Sequence, residues 1–224
     1  MCWINWIIPW NKNDITLLNK SIEYRWPDAN GIFHRDKISL WHLRLSIIDL
    51  NEWANQPMED ENHVLVFNGE IYNYIDIKQQ LEKKWYIFKT KSDTEVLLKW
   101  WLEWGTWIIN KLEWFFAFWI YDKTKEKLFL VRDKLWKKPL FFVNNKDSFI
   151  FSSEIWWLKK YIKNNEINNS YIEDLLNFSF TLDESPFKEI KSLESWSYME
   201  IDIKTMKIIQ KKYFYLKDLI DEKI

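Results

Sequence analysis

The chain opens Met1-Cys2-Trp3-Ile4-Asn5-Trp6-Ile7-Ile8, and the reading of this stretch decides the reading of the rest. It contains the single cysteine of a 224-residue sequence, one methionine removal away from the amino terminus. A terminal cysteine puts two reacting groups on one residue. Its thiol can attack a carbonyl, and its free α-amine, with a pKa near 7.7–8.0, can take the proton. By composition alone a lone cysteine is more often an inert buried hydrophobe. Position 2 is what makes Cys2 a candidate nucleophile.

Working outward, composition narrows the field. A hydrophobic content of 47% supports a substantial core, as one large domain or two small ones. The net charge of -1, from 32 basic and 33 acidic residues, gives no electrostatic reason to expect nucleic acid or an anionic membrane as partner. One cysteine cannot form an internal disulfide, which favours a reducing, cytoplasmic setting. The apolar start lacks a basic flank and a small-residue cleavage site, and Asn11-Lys12-Asn13-Asp14 interrupts it, so a signal peptide is not expected. No apolar run reaches the ~20 residues of a membrane span. His34, His42 and His63 have no metal-ligand spacing with one another or with Cys2, so no metal site is expected. The lack of a glycine-rich phosphate loop argues against ATP chemistry within the chain.

One feature of the composition is abnormal. Average usage of about 7% would give roughly 16 glycines, yet there are 3, beside 17 tryptophans. An aromatic core or a tryptophan-lined surface would put the rings on the apolar phase of helices and strands. Instead Trp26 precedes Pro27-Asp28, Trp53 follows Asn51-Glu52, Trp136 stands before Lys137-Lys138 and Trp196 lies between two serines. These are turn contexts, where glycine has a physical reason to be present.

Periodicity predicts a helix over 14–24, a loop over 25–31, extended structure over 38–50 and a strand over 64–67 that ends in Asn68-Gly69. A helix follows over 76–84, then one capped by Ser92 with Glu95 at the capping-box position. That helix should persist to about Glu103 and resume over 106–112. Short strands are expected over 115–121, 127–132, 140–144 and 148–152, helices over 153–162 and 170–178, and a closing hairpin over 197–203 and 206–213. Strands grouped between helices fit α+β better than alternating βαβ units.

Four stretches taken together carry a resemblance: MCWINWII at 1–8, RWPDA at 25–29, HLRLSIIDL at 42–50 and NGEIYN at 68–73. In this order they resemble class II (Ntn-type) glutamine amidotransferase domains, and more narrowly the glutaminase half of glutamine-hydrolysing asparagine synthetases. SDTE at 92–95, WFFAF at 114–118, RDKLWKKPL at 132–140 and FSSE at 151–154 extend the match over nearly the whole chain. The departures share one pattern. Trp3, Trp6, Trp26, Trp41, Trp114, Trp136 and Trp196 stand where the family pattern has glycine. A gene that uses UGA for glycine, decoded with a table that reads UGA as tryptophan, would produce this, with Trp104 a genuine tryptophan. UGG codons at Trp3, Trp26 and Trp136 would refute it.

The resemblance implies an α+β, four-layer α/β/β/α Ntn-hydrolase-like sandwich of two mainly antiparallel sheets. It implies a glutaminase domain over 1–206, with 207–224 as the last strand and the start of a linker to a synthetase domain absent from this chain. With Met1 removed, Cys2 would attack the side-chain amide of L-glutamine, its amine would shuttle the proton, and water would release glutamate from a γ-glutamyl thioester. The Asn68 side chain and the Gly69 backbone amide would hold the oxyanion. Arg44 would bind the substrate carboxylate, Glu70 and Asp93 its ammonium, and the backbone of Leu45, Ser46, Ile47 and Ile48 would line the pocket. Arg25 and Asp28 would hold a loop over it. Without the motif, Arg44 would be an ordinary surface charge, Asp93 a helix-start acid and Asn68-Gly69 a type I′ turn. That turn would require a strand immediately after it.

No cofactor is expected in this chain. ATP and Mg belong to the synthetase domain, in cis or in trans, which would amidate aspartate with the ammonia, and a homodimer is left open. The competing readings are a catalytically silent amidotransferase-like binding module, an amidotransferase for another acceptor, and a tryptophan-rich interaction module.

Overall fold

The computed structural model describes residues 3–8, 28–113, 115–146, 148–179 and 184–215; at 3, 5, 6 and 7 it describes the backbone alone. Cys2, Arg25, Trp26, Trp114 and the helix expected over 14–24 lie outside the described residues.

Two six-stranded sheets form the centre, and every neighbouring pair of strands is antiparallel. The first contains β1 (Trp3–Ile8), β2 (Ala29–Arg35), β3 (Ile38–Arg44), β8 (Phe141–Asn145), β9 (Ser148–Ser152) and β10 (Lys191–Ser192), in the order β10-β8-β9-β1-β3-β2. The second contains β4 (Met58–Glu59), β5 (His63–Gly69), β6 (Phe116–Asp122), β7 (Lys127–Arg132), β11 (Ser197–Asp202) and β12 (Ile208–Lys212), in the order β12-β11-β7-β6-β5-β4.

Side-chain alternation along the strands makes the layers. Ile4, Ile8, Ile38 and Leu40 of the first sheet meet Val64, Val66, Ala117, Trp119 and Leu130 of the second in the inter-sheet core. The opposite face of the second sheet, with Leu65, Phe67, Phe118 and Ile120, packs on α1 (Tyr74–Glu82) and α2 (Asp93–Trp104) through Ile77, Leu81, Val96 and Leu97. The outer face of the first sheet, through Trp41, Leu43 and Ile150, packs on α3 (Ile155–Leu158) through Trp157 and Leu158. A further helix, α4, spans Asn169–Leu176. The four-layer α/β/β/α sandwich implied by the sequence is present.

Several local expectations shift. Residues 29–31 belong to β2, with Ala29 opposite Arg44, and are not loop. A Cβ on Gly31 would lie 2.0 Å from the Gln56 carbonyl oxygen, so this close crossing requires glycine. The segment after α2 is a 3-10 helix, Gly105–Lys111. The helix expected over 153–162 divides into α3 and a 3-10 turn, Lys159–Tyr161. Trp53 sits in a 3-10 helix, Glu52–Ala54, started by the Asn51 side chain, so its backbone does not call for glycine.

The remaining tryptophans divide by backbone. Trp136 (φ 42°) and Trp196 (φ 59°) lie in the left-handed region that favours glycine, as does Trp85 (φ 67°), which the family pattern did not flag. Trp41 has ordinary strand geometry. Its buried indole N–H, like that of Trp119, has no acceptor among the described residues.

Candidate active site

The apolar alternation of two strands turns polar at one end of the sandwich. On β3 the inward series Ile38, Leu40 continues to His42 and Arg44, and on β5 Val64, Val66 continues to Asn68. Gly69 ends β5, and the chain passes through Glu70 and Ile71 to α1 rather than into another strand, which removes the hairpin-turn reading of Asn68-Gly69. Gly69 is dictated by crowding: a Cβ there would lie 2.3 Å from the Phe115 carbonyl oxygen, which accepts the Glu70 N–H at 3.1 Å.

These residues line a cavity of about 40 Å³ that brings together Arg44, Leu45, Ile47, Ile48, Asn68, Gly69, Glu70 and Asp93. Ser46 does not line it; its N–H donates to Asp28 Oδ2 at 2.6 Å, while the Asp28 N–H donates to the Arg44 carbonyl at 2.9 Å. Asp28 therefore holds the loop after β3. The cavity is also lined by Gln56, Phe67, Ser92, Thr94 and Lys138, which the sequence reading did not place there. Gln56 Oε1 accepts the Phe67 N–H at 2.6 Å and its Nε2 donates to Thr94 Oγ1 at 3.3 Å, tying the strand that carries Asn68 to the helix that carries Asp93.

Asn68 is 1% exposed, and neither atom of its side-chain amide has a hydrogen-bond partner among the described residues. Buried amides are normally satisfied, so an unmatched one facing a cavity is poised for a group that arrives from outside. Arg44 is the opposite case. Its Nη1 donates to the Asn51 carbonyl (3.2 Å) and Asn55 Oδ1 (2.9 Å), and its Nη2 to the carbonyls of Ile48 (3.2 Å) and Asp49. This guanidinium shapes the 48–55 loop, a role the sequence reading did not foresee.

Asp93 begins α2, where Ser92 Oγ accepts the Thr94 N–H at 3.1 Å as the expected cap. The capping box is not closed. Glu95 instead accepts from the N–H groups of Lys89 and Thr90 and pairs with Lys99 at 2.8 Å. Asp93 Oδ2 accepts the Ile71 N–H at 3.2 Å. Burial pushes the Asp93 carboxyl up to about 6, against these hydrogen bonds and with a further push from Glu70. Behind the pocket His42 is fully buried, and burial holds its imidazole at about 3, so it is neutral at pH 7. The first strand begins at Trp3, whose register partner is Leu43, the neighbour of Arg44.

Among the described residues no three His, Cys, Asp or Glu side chains are grouped to hold a metal ion, and no helix is long and apolar enough to cross a membrane.

The asparagine synthetase [glutamine-hydrolyzing] 1 of Bacillus subtilis is 37% identical over 84% of this chain and 30% of its own length. A putative asparagine synthetase [glutamine-hydrolyzing] 2 of Methanocaldococcus jannaschii is 34% identical over 96% of this chain and 46% of its own. The chain thus spans less than half the length of these relatives. The solved glutamine phosphoribosylpyrophosphate amidotransferase of B. subtilis superposes with a TM-score of 0.68 over 95% of this chain and 49% of that one, at 18% identity, a likeness of fold. The family model described as glutamine amidotransferase domain matches residues 1–214. The chain belongs to the class II glutamine amidotransferase domain family and is related to the glutaminase portions of asparagine synthetases.

Proposed function

We propose that this chain is a glutaminase in which Cys2, exposed as the amino terminus, attacks the side-chain amide of L-glutamine. The supporting observation is the unmatched, buried Asn68 amide at a cavity whose lining also includes Gly69, Glu70 and Asp93. The Asn68 Nδ2–H and the Gly69 N–H stabilise the tetrahedral oxyanion. The Cys2 α-amine accepts the thiol proton and delivers it to the leaving ammonia, and water then cleaves the γ-glutamyl thioester to release glutamate. Asp93 and Glu70 receive the substrate ammonium, and backbone of the 45–48 segment lines the pocket.

The ammonia serves a synthetase domain, in cis or in trans, that uses ATP and Mg to convert aspartate to asparagine. The names of the relatives support this acceptor. Glutamate release should occur in the wild type, with Met1 removal verified by mass spectrometry, and should vanish in Cys2→Ala. Equal release from both proteins overturns the mechanism.

A further inference from the structure

The two halves of the pocket stand on different elements: Asn68 and Gly69 end β5, while Asp93 begins α2. Glutamine has a limited span between its side-chain amide and its ammonium, so the end of β5 and the start of α2 must be held in register with each other. One tie, from the Ile71 N–H to Asp93 Oδ2 (3.2 Å), lies beyond Gly69 and occupies the very carboxylate that is to receive the ammonium. A second tie, independent of that carboxylate, lies before Asn68.

That second tie is Gln56. β4 pairs with β5 over two residues only, Met58 with Leu65 and Glu59 with Val64. Continued, this register would set residue 56 opposite Phe67, the residue before Asn68. The backbone at 56 instead crosses β2, its carbonyl oxygen 2.0 Å from where a Cβ on Gly31 would lie. The Gln56 side chain takes the place of the missing peptide group: its Oε1 accepts the buried Phe67 N–H at 2.6 Å, as a neighbouring strand's carbonyl would. A backbone N–H can only donate, so this bond fixes the orientation of the amide and turns Nε2 towards α2. There it donates to Thr94 Oγ1 at 3.3 Å, one residue from Asp93. Gln56 and Thr94 are both buried, so bulk water does not compete for either contact.

We infer that Gln56 is a positioning residue of the site, its amide holding the oxyanion donors on β5 in register with the ammonium acceptor on α2. This rests on the glutaminase reading above. The two ends of the amide should separate kinetically. Thr94→Val, isosteric but without the hydroxyl, releases only the α2 end and should raise KM for glutamine about fivefold with kcat within about twofold, the signature of weakened uniform binding. Thr94→Ser should restore the wild-type KM. Gln56→Met releases both ends and should raise KM and also lower kcat, per folded molecule by circular dichroism, by about 10²-fold. A merely structural role would reduce the folded fraction and leave both constants of the folded protein unchanged. A wild-type KM in Thr94→Val, or wild-type constants per folded molecule in Gln56→Met, overturns the inference while an active wild type upholds the glutaminase reading. If Gln56→Met does not fold, the Thr94 pair decides. A wild type that neither hydrolyses glutamine nor binds it in calorimetry overturns both.

Discussion

Asn68 carries opposite consequences for stability and for activity. A buried amide without partners costs about 1–3 kcal/mol of folding free energy relative to a satisfied one, and both atoms of this side chain are in that state among the described residues. Asn68→Leu, nearly isosteric and apolar, should raise unfolding stability in urea by about 1 kcal/mol while lowering kcat for glutamine by about 10²–10³, the usual loss for one oxyanion donor. Loss of both stability and activity would mean that the amide is satisfied in solution. Asp93 adds a pH limb. With its carboxyl raised to about 6, it is an anion at pH 7.5 and increasingly protonated below 6, so KM for glutamine should climb as pH falls through 6. Asp93→Asn should start from a high KM and show no such limb.

At the scale of elements, the end of α1 gives a sharp test of the tryptophan question. The Trp85 N–H donates to the Glu82 carbonyl (3.0 Å) and the Tyr86 N–H to the Leu81 carbonyl (3.1 Å), the Schellman pattern that places a left-handed residue, usually glycine, at Trp85. Trp85 is 92% exposed, so its ring contributes little packing to offset the conformational cost. Trp85→Gly should therefore stabilise the chain by about 1 kcal/mol in thermal or urea unfolding, the left-handed penalty of a residue with a Cβ. Trp53→Gly, in the interior of a 3-10 helix, should destabilise it; equal effects at the two sites would contradict the argument.

Periodic or capped segments were legible: β7 and β9 fall where alternation puts them, and Ser92 caps α2. β2 was not, because its exposed positions alternate with half-buried ones at a sheet edge and Gly31 looked like a turn signal. Asn68 and Gly69, singled out from a contiguous motif, do line the cavity. Gln56 and Lys138 were missed because they reach the cavity through tertiary contacts that leave no local pattern. Arg44 also lines the cavity, but the occupation of its donors depends on a loop conformation that residue type does not specify.

For the whole molecule, two buried groups, His42 and Asp93, set the pH dependence of stability with opposite signs. His42, in the inter-sheet layer, is lowered from 6.5 to about 3, so between those values the unfolded chain binds a proton that the native chain does not, and stability falls as pH falls. Asp93 is raised from 3.8 to about 6, so in that window the native chain binds the extra proton; its contribution is full below 3.8 and is lost as pH rises through 6. The two slopes cancel where they overlap. Unfolding free energy should therefore stay nearly flat from pH 6 down to about 4.5, where carboxylates held below their usual range, Asp122 (to about 2) and Glu95 among them, begin to protonate on unfolding. Removing one member exposes the other. Asp93→Asn should lose about 1.4 kcal/mol per pH unit on acidification across that window, and His42→Phe should gain a similar amount. Parallel urea titrations at pH 6.0, 5.25 and 4.5 distinguish these slopes, and a wild type that already loses stability at the Asp93→Asn rate would show that Asp93 is ionised in the native chain throughout.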